Sequence, residues 1–145
     1  MPAVSEFFVA DHRTAIAHAG ALESGQSPAV GLPRLAAPHI TDLDVEILGE
    51  IAAKAVHAGG TDCALGMVDI ELDPLFVVPG PLATVFAELK DLEDQEDVTA
   101  VAQQWAGTEE MSTTAAVTEP LVRGLSELAA AAGQDTALNL YFWNA

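Results

Sequence analysis

Against twenty-two aspartates and glutamates this chain of 145 residues sets only five fixed cations, Arg13, Arg34, Lys54, Lys90 and Arg123, for a formal net charge of −17. A surface of that sign repels phosphate groups, which argues against nucleic acid and against anionic lipid as partners. Half of the residues are hydrophobic, too many for a disordered acidic tail, so the charge is expected on the outside of a folded protein.

The β-branched and aromatic run Val4 to Ala10 predicts a first strand. Asp11 then suits the N-cap of a helix from His12 to about Leu22, whose apolar residues are mostly alanines. Residues 23–40 carry Gly25, Pro28, Gly31, Pro33 and Pro38 and are expected to form one long surface loop. Thr41 and Asp44 have the spacing of a capping box, with Asp in place of the usual Glu. The helix they open has Ile47, Leu48, Ile51 and Ala55 as its apolar stripe, and Gly59 and Gly60 as its expected end. Asp42, Asp44 and Glu46 complement its dipole.

Val68-Asp69-Ile70-Glu71-Leu72 alternates and predicts a half-buried strand with Asp73 facing water. Leu75 to Val78 predicts another. Pro81 fits the first turn of the next helix, with Leu82, Val85, Phe86 and Leu89 inward. After an acidic junction, Asp91 to Asp97, a further helix turns Val98, Val101, Ala102 and Trp105 inward and stops at Gly107. Thr118 is expected to cap the last helix, with Pro120 in its first turn, Leu121, Leu125, Leu128 and Ala132 as its stripe and Gly133 as its stop. Asn139 to Trp143 predicts a closing strand with Leu138, Leu140 and Phe142 on one face and Asn139, Tyr141 and Trp143 on the other. The whole reads as a single α+β domain, residues 1–145. A small sheet, including neighbouring N- and C-terminal strands, packs against four to five helices.

Motifs for chemistry are sparse. Among His12, His18, His39 and His57 no pair has metal-ligand spacing on one helix face, and Cys63 is the sole cysteine, so no metal and no disulfide framework are expected. Cys63 reads as a small buried hydrophobe. His57, six positions upstream, is a weak argument for an activated thiol. No phosphate-binding glycine motif and no nucleophile elbow occur, and no cofactor is expected. The opening residues, with Glu6 and Asp11, lack a cationic start followed by an apolar run. No stretch approaches the ~18 consecutive apolar residues of a membrane span. A cytoplasmic protein is expected.

Two clusters remain. Trp105-Ala106-Gly107-Thr108-Glu109-Glu110 ends one helix with an aromatic, a hydroxyl and two carboxylates. It reads either as a capped turn or as a small catalytic or binding group that would need a further partner such as Glu6. The second is the set of carboxylates Asp42, Asp44, Glu46 and Glu50 on one helix with Glu88, Asp91, Glu93, Asp94, Glu96 and Asp97 around the acidic junction. It reads as a docking face for a basic partner, as a solvated surface, or as an adaptation to high salt.

Three segments carry a likeness to a known group. Ser5-Glu6-Phe7-Phe8, Trp105-Ala106-Gly107-Thr108-Glu109-Glu110 and Leu140-Tyr141-Phe142-Trp143 resemble the Ser-Glu-Tyr-Phe opening, the Trp-Ser-x-Thr-Glu-Glu element and the closing strand of small actinobacterial (Streptomyces-like) proteins of unknown function. Met111, where an aromatic usually follows the glutamates, and the segment around 60–75 depart from that pattern. The resemblance implies a cytoplasmic single domain in which Glu6, Trp105, Thr108, Glu109 and Trp143 meet. It implies no activity.

The expectation drawn from all this is a non-catalytic interaction protein for a basic partner, such as an immunity protein or a nucleic-acid mimic. The alternative is a small ligand-binding domain or hydrolase-type enzyme using Trp105, Thr108, Glu109 and Glu110 near Trp143. A third reading has the alanine-rich helix and the Tyr141–Trp143 face forming a dimer. High net charge favours a monomer or a weak homodimer.

Overall fold

A computed structural model gives the structure of the chain and describes residues 5–25, 32–72, 74–109 and 111–144. Its strands β1 (Ser5–Ala10), β2 (Arg34–Ala36), β3 (Gly66–Met67), β4 (Leu75–Val77) and β5 (Asn139–Asn144) form one antiparallel sheet in the order β2-β1-β5-β4-β3. The first and last strands are partners at its centre, with Glu6 opposite Trp143 and Phe8 opposite Tyr141. Alternation along these strands feeds two separate layers. Phe7, Val9, Leu140 and Phe142 enter the main core beside α2 (Asp42–Ala55), α3 (Gly80–Leu89), α4 (Glu96–Ala106) and α5 (Ala115–Ala132). Phe8, Ala10, Tyr141 and Trp143 enter a smaller core under α1 (His12–Glu23). The fold is α+β, with five helices among the described residues.

Local signals account for most of these elements. The Asp11 carboxylate accepts the Thr14 amide at 2.8 Å and opens α1. Thr41 and Asp44 form the reciprocal box at the start of α2. Leu82, Val85, Phe86 and Leu89 are buried along α3, as are Val98, Val101, Ala102 and Trp105 along α4. Gly49 allows α2 to approach its neighbours closely: a Cβ there would lie 2.9 Å from Leu82 and 3.1 Å from the Cys63 sulfur.

Five sequence expectations give way. The alternating run Val68 to Leu72 is not a strand. β3 is two residues long and ends before it, and Ile70 is 79% exposed. The Asp69 carboxylate accepts the Glu71 amide at 2.9 Å and the Asp69 carbonyl accepts the Leu72 amide at 3.0 Å, so a local turn outcompetes the ladder. Asp73 lies outside the described residues. The span 23–40 is not all loop, because β2 pairs with β1 between Pro33 and Pro38. The last helix begins at Ala115 with Thr114 as its N-cap, not at Thr118. Thr118 is buried four positions in and donates its hydroxyl to the Ala102 carbonyl at 2.7 Å, tying α5 to α4. Pro120 therefore sits inside the helix. It is exposed, where water can reach the carbonyl that its ring leaves unbonded. Finally, α2 turns its expected stripe inward, with Leu48 and Ile51 buried and Ile47 and Ala55 half-buried against the core, but it ends at Ala55 before its glycines. His57 takes a left-handed φ of 60° and the Ala58 amide returns to the Ala53 carbonyl at 2.7 Å, which closes the helix early.

Candidate functional site

Sequence alternation puts Glu6 on the α1 side of β1, on the same face as Phe8, where a bare carboxylate is costly. Both of its oxygens are satisfied. Arg34 stands opposite Phe8 on β2 and so diagonal to Glu6. Its guanidinium donates from Nε to Glu6 Oε2 at 2.7 Å and from the terminal NH2 to Oε1 at 2.6 Å, a bidentate pair. From α1, His18 Nε2 donates to Glu6 Oε2 at 3.2 Å. Glu6 and His18 are 3% and 1% exposed, and the Arg34 side chain is 37% exposed. Its hydrogen bonds to the Glu6 carboxylate raise the Arg34 guanidinium above its ordinary pKa. The His18 ring meets Phe8 edge-on at 4.5 Å, and its Nδ1 has no hydrogen-bond partner among the described residues. The carboxylate is fully engaged, so this cluster joins β1, β2 and α1. It is a clamp rather than an open site.

The tryptophan cluster is dispersed. Trp105 is 1% exposed in the main core, and its indole donates to the Asp44 carbonyl at 3.0 Å, joining α4 to α2. Thr108 turns back to donate to the Trp105 carbonyl at 2.8 Å. Glu109 is exposed, and Glu110 lies outside the described residues. Trp143 is buried in the smaller core, on the other face of the sheet from Trp105. Glu6 is beside Trp143 and apart from Trp105. The geometry thus divides the five residues that the resemblance would bring together. Tyr141 and Trp143 are each 1% exposed beneath α1, so they offer no apolar face for a dimer.

The acidic residues fare differently. Asp44 is buried, with its carboxylate accepting the Thr41 amide and hydroxyl at 2.9 and 3.0 Å. It serves the helix cap and is lost to any face. Asp42 and Glu46 are half-buried and Glu50 is exposed on α2. Glu88, Asp91, Glu93, Asp94, Glu96 and Asp97 are all exposed where α3 hands over to α4. The handover is ordered: Asp94 accepts the Glu96 amide at 2.9 Å, and the Gln95 side chain donates to the Leu92 carbonyl at 2.9 Å. None of these exposed carboxylates is in an ion pair among the described residues.

The cations are partly spent elsewhere. Arg34 is held by Glu6, and Arg123 donates to Glu119 at 3.1 Å along α5. Hydrogen bonds from Thr99 and Arg123 hold the Glu119 carboxyl below the usual range. Arg13, Lys54 and Lys90 are exposed. Cys63 is 8% exposed and donates to the Thr61 carbonyl at 3.4 Å. Burial, with Glu50, Asp62 and Glu46 nearby, pushes its pKa up and keeps it a poor nucleophile. Among the described residues no three metal-ligating side chains gather, and no helix is long and apolar enough to cross a membrane.

Compared with known proteins, the chain matches no protein-family model, no curated protein and no solved structure. The likeness to the actinobacterial group rests on its three short motifs alone.

Sequence reasoning selected Glu6 through that likeness and missed Arg34 and His18. The available signal was physical. An acidic residue directly before Phe7 and Phe8 in a strand read as part of the sheet demands a cation, and the chain has five lysines and arginines from which to choose.

Proposed function

We propose that the protein is a non-catalytic, cytoplasmic interaction module that engages a basic protein through exposed carboxylates, as an immunity protein or a nucleic-acid mimic would. One observation carries this reading. The six acidic residues from Glu88 to Asp97 are exposed across the end of α3, the ordered turn after it and the start of α4, and none has a cationic partner among the described residues. Among those residues, the buried carboxylates are Glu6 and Asp44, so most of the negative charge is expressed at the surface. Such a surface steers a cationic partner into encounter, and salt weakens that steering.

The test separates a face from a general field. Glu93→Gln/Glu96→Gln/Asp97→Asn removes three charges from the turn, and Glu23→Gln/Glu71→Gln/Glu109→Gln removes as many from other exposed positions. Binding of a lysine-rich peptide of about twenty residues is measured by calorimetry at low and high salt. The reading expects salt-sensitive binding that falls about tenfold or more in the first variant and much less in the second. Equal losses, or no binding at low ionic strength, would remove it.

A further inference from the structure

Away from the tryptophans, a cavity of about 430 Å³ opens between α3, the end of α5 and the segment leading into β5. That volume lies in the ordinary range for small-molecule sites, roughly 300–1,000 Å³. Its floor is apolar: Val78, Ala129, Ala132 and Leu140 line it and are buried. Its mouth is anionic, because Glu88, Asp91 and Asp135 line it and are exposed. No lysine, arginine or histidine is among its lining residues. Of the three carboxylates, Asp135 spends one oxygen on the Ala137 amide at 2.9 Å, and none is in an ion pair among the described residues.

We propose that this cavity binds a small organic cation with an apolar body, of the alkylammonium class. The alkyl chain lies on the alanine, valine and leucine floor, and the ammonium stays at the mouth among the carboxylates. Charge complementarity selects this occupant. An anion is repelled by all three carboxylates, and a neutral alkyl compound gains nothing from them. A compact cation gains nothing from the floor, where each buried methylene tightens binding roughly fourfold. This inference does not depend on a basic protein partner, and its test contains none.

Hexylammonium, methylammonium, hexan-1-ol and hexanoate are titrated against the amide spectrum of the isotope-labelled protein. Hexylammonium is expected to shift amides of α3 and of residues 133–140. It should bind at least tenfold tighter than the other three. Glu88→Gln/Asp91→Asn is expected to weaken it about tenfold, while Glu23→Gln/Glu71→Gln, which removes the same charge elsewhere, leaves it within twofold. Both pairs lie at exposed positions, so these variants report even if a core change fails to fold. Ala83→Leu, at a half-buried lining position in α3, fills the space with a good helix former and should abolish binding. Hexan-1-ol binding as tightly as the amine, shifts spread over the whole acidic surface, or equal losses in the two charge pairs would overturn the proposal.

Discussion

The two faces of the sheet are covered by different means. On one side four helices cover Phe7, Val9, Leu140 and Phe142 with a large apolar core, and the Trp105 and Thr118 side chains tie those helices to one another. On the other a single helix covers Phe8, Tyr141 and Trp143, and its buried residues are Ala15, His18 and Ala19. Two alanines bury little area, and Ile16 and Leu22 are only half-buried against the same core, so α1 gains less from the hydrophobic effect than the other helices do. The Glu6–His18–Arg34 clamp stands where a larger apolar side chain would otherwise have to be. The difference shows how one α+β protein divides its layers. One is held by volume and close packing, the other by a few directional bonds to a buried carboxylate.

Removing volume from the thick layer should give the largest effect. Phe86 is 0% exposed on α3, and Phe86→Ala is expected to cost about 3–5 kcal/mol in urea unfolding. The loss should be global, with amide exchange accelerating in α2 to α5 and in β5 together. A cost below about 1 kcal/mol would mean that this layer is loosely packed and the contrast is false.

The thin layer should fail differently. Glu6→Gln leaves shape nearly unchanged but removes the charge that Arg34 and His18 both address. The expected cost is about 1–3 kcal/mol, kept from the upper end because Arg34 can turn to water. Its signature is locality: amides of α1 should exchange faster before those of α3 to α5 change. Uniform acceleration across the molecule would show that the clamp holds the whole fold and not one helix.

The same contrast explains what could be read in advance. Elements of the thick layer announce themselves locally, through stripes such as Leu82–Val85–Phe86–Leu89 and stops such as Gly107 and Gly133. The central pairing of β1 with β5 was legible because each is a short run rich in aromatic residues and both lie near the ends of the domain. Val68 to Leu72 misled because alternation is blind to a side chain, here Asp69, that prefers its own backbone. Thr118 misled because a threonine before a proline looks like a cap, while its real acceptor, the Ala102 carbonyl, comes from another helix. The identity of the clamp's partners and the separation of Trp105 from Trp143 were illegible for one reason. Both depend on which layer a side chain enters, and short motifs do not carry that.

The smallest effect is also the most selective. Asp11 caps α1, and the bonds it accepts from the Thr14 amide and hydroxyl hold its carboxyl below the ordinary value of 3.8. A group whose folded pKa is depressed stabilises the fold above its unfolded pKa, and that contribution is lost as pH falls through the folded value. Acid should therefore loosen the start of α1 below about pH 4, through the cap alone. The Thr41 hydroxyl that caps α2 does not titrate. Asp11→Asn keeps a good capping residue but cannot protonate in this range. Stability at neutral pH should stay nearly the same, and the acid-dependent increase in exchange at Thr14 and Ala15 should shrink. If the variant loosens with acid as the wild type does, the cap does not set the acid limit of this layer.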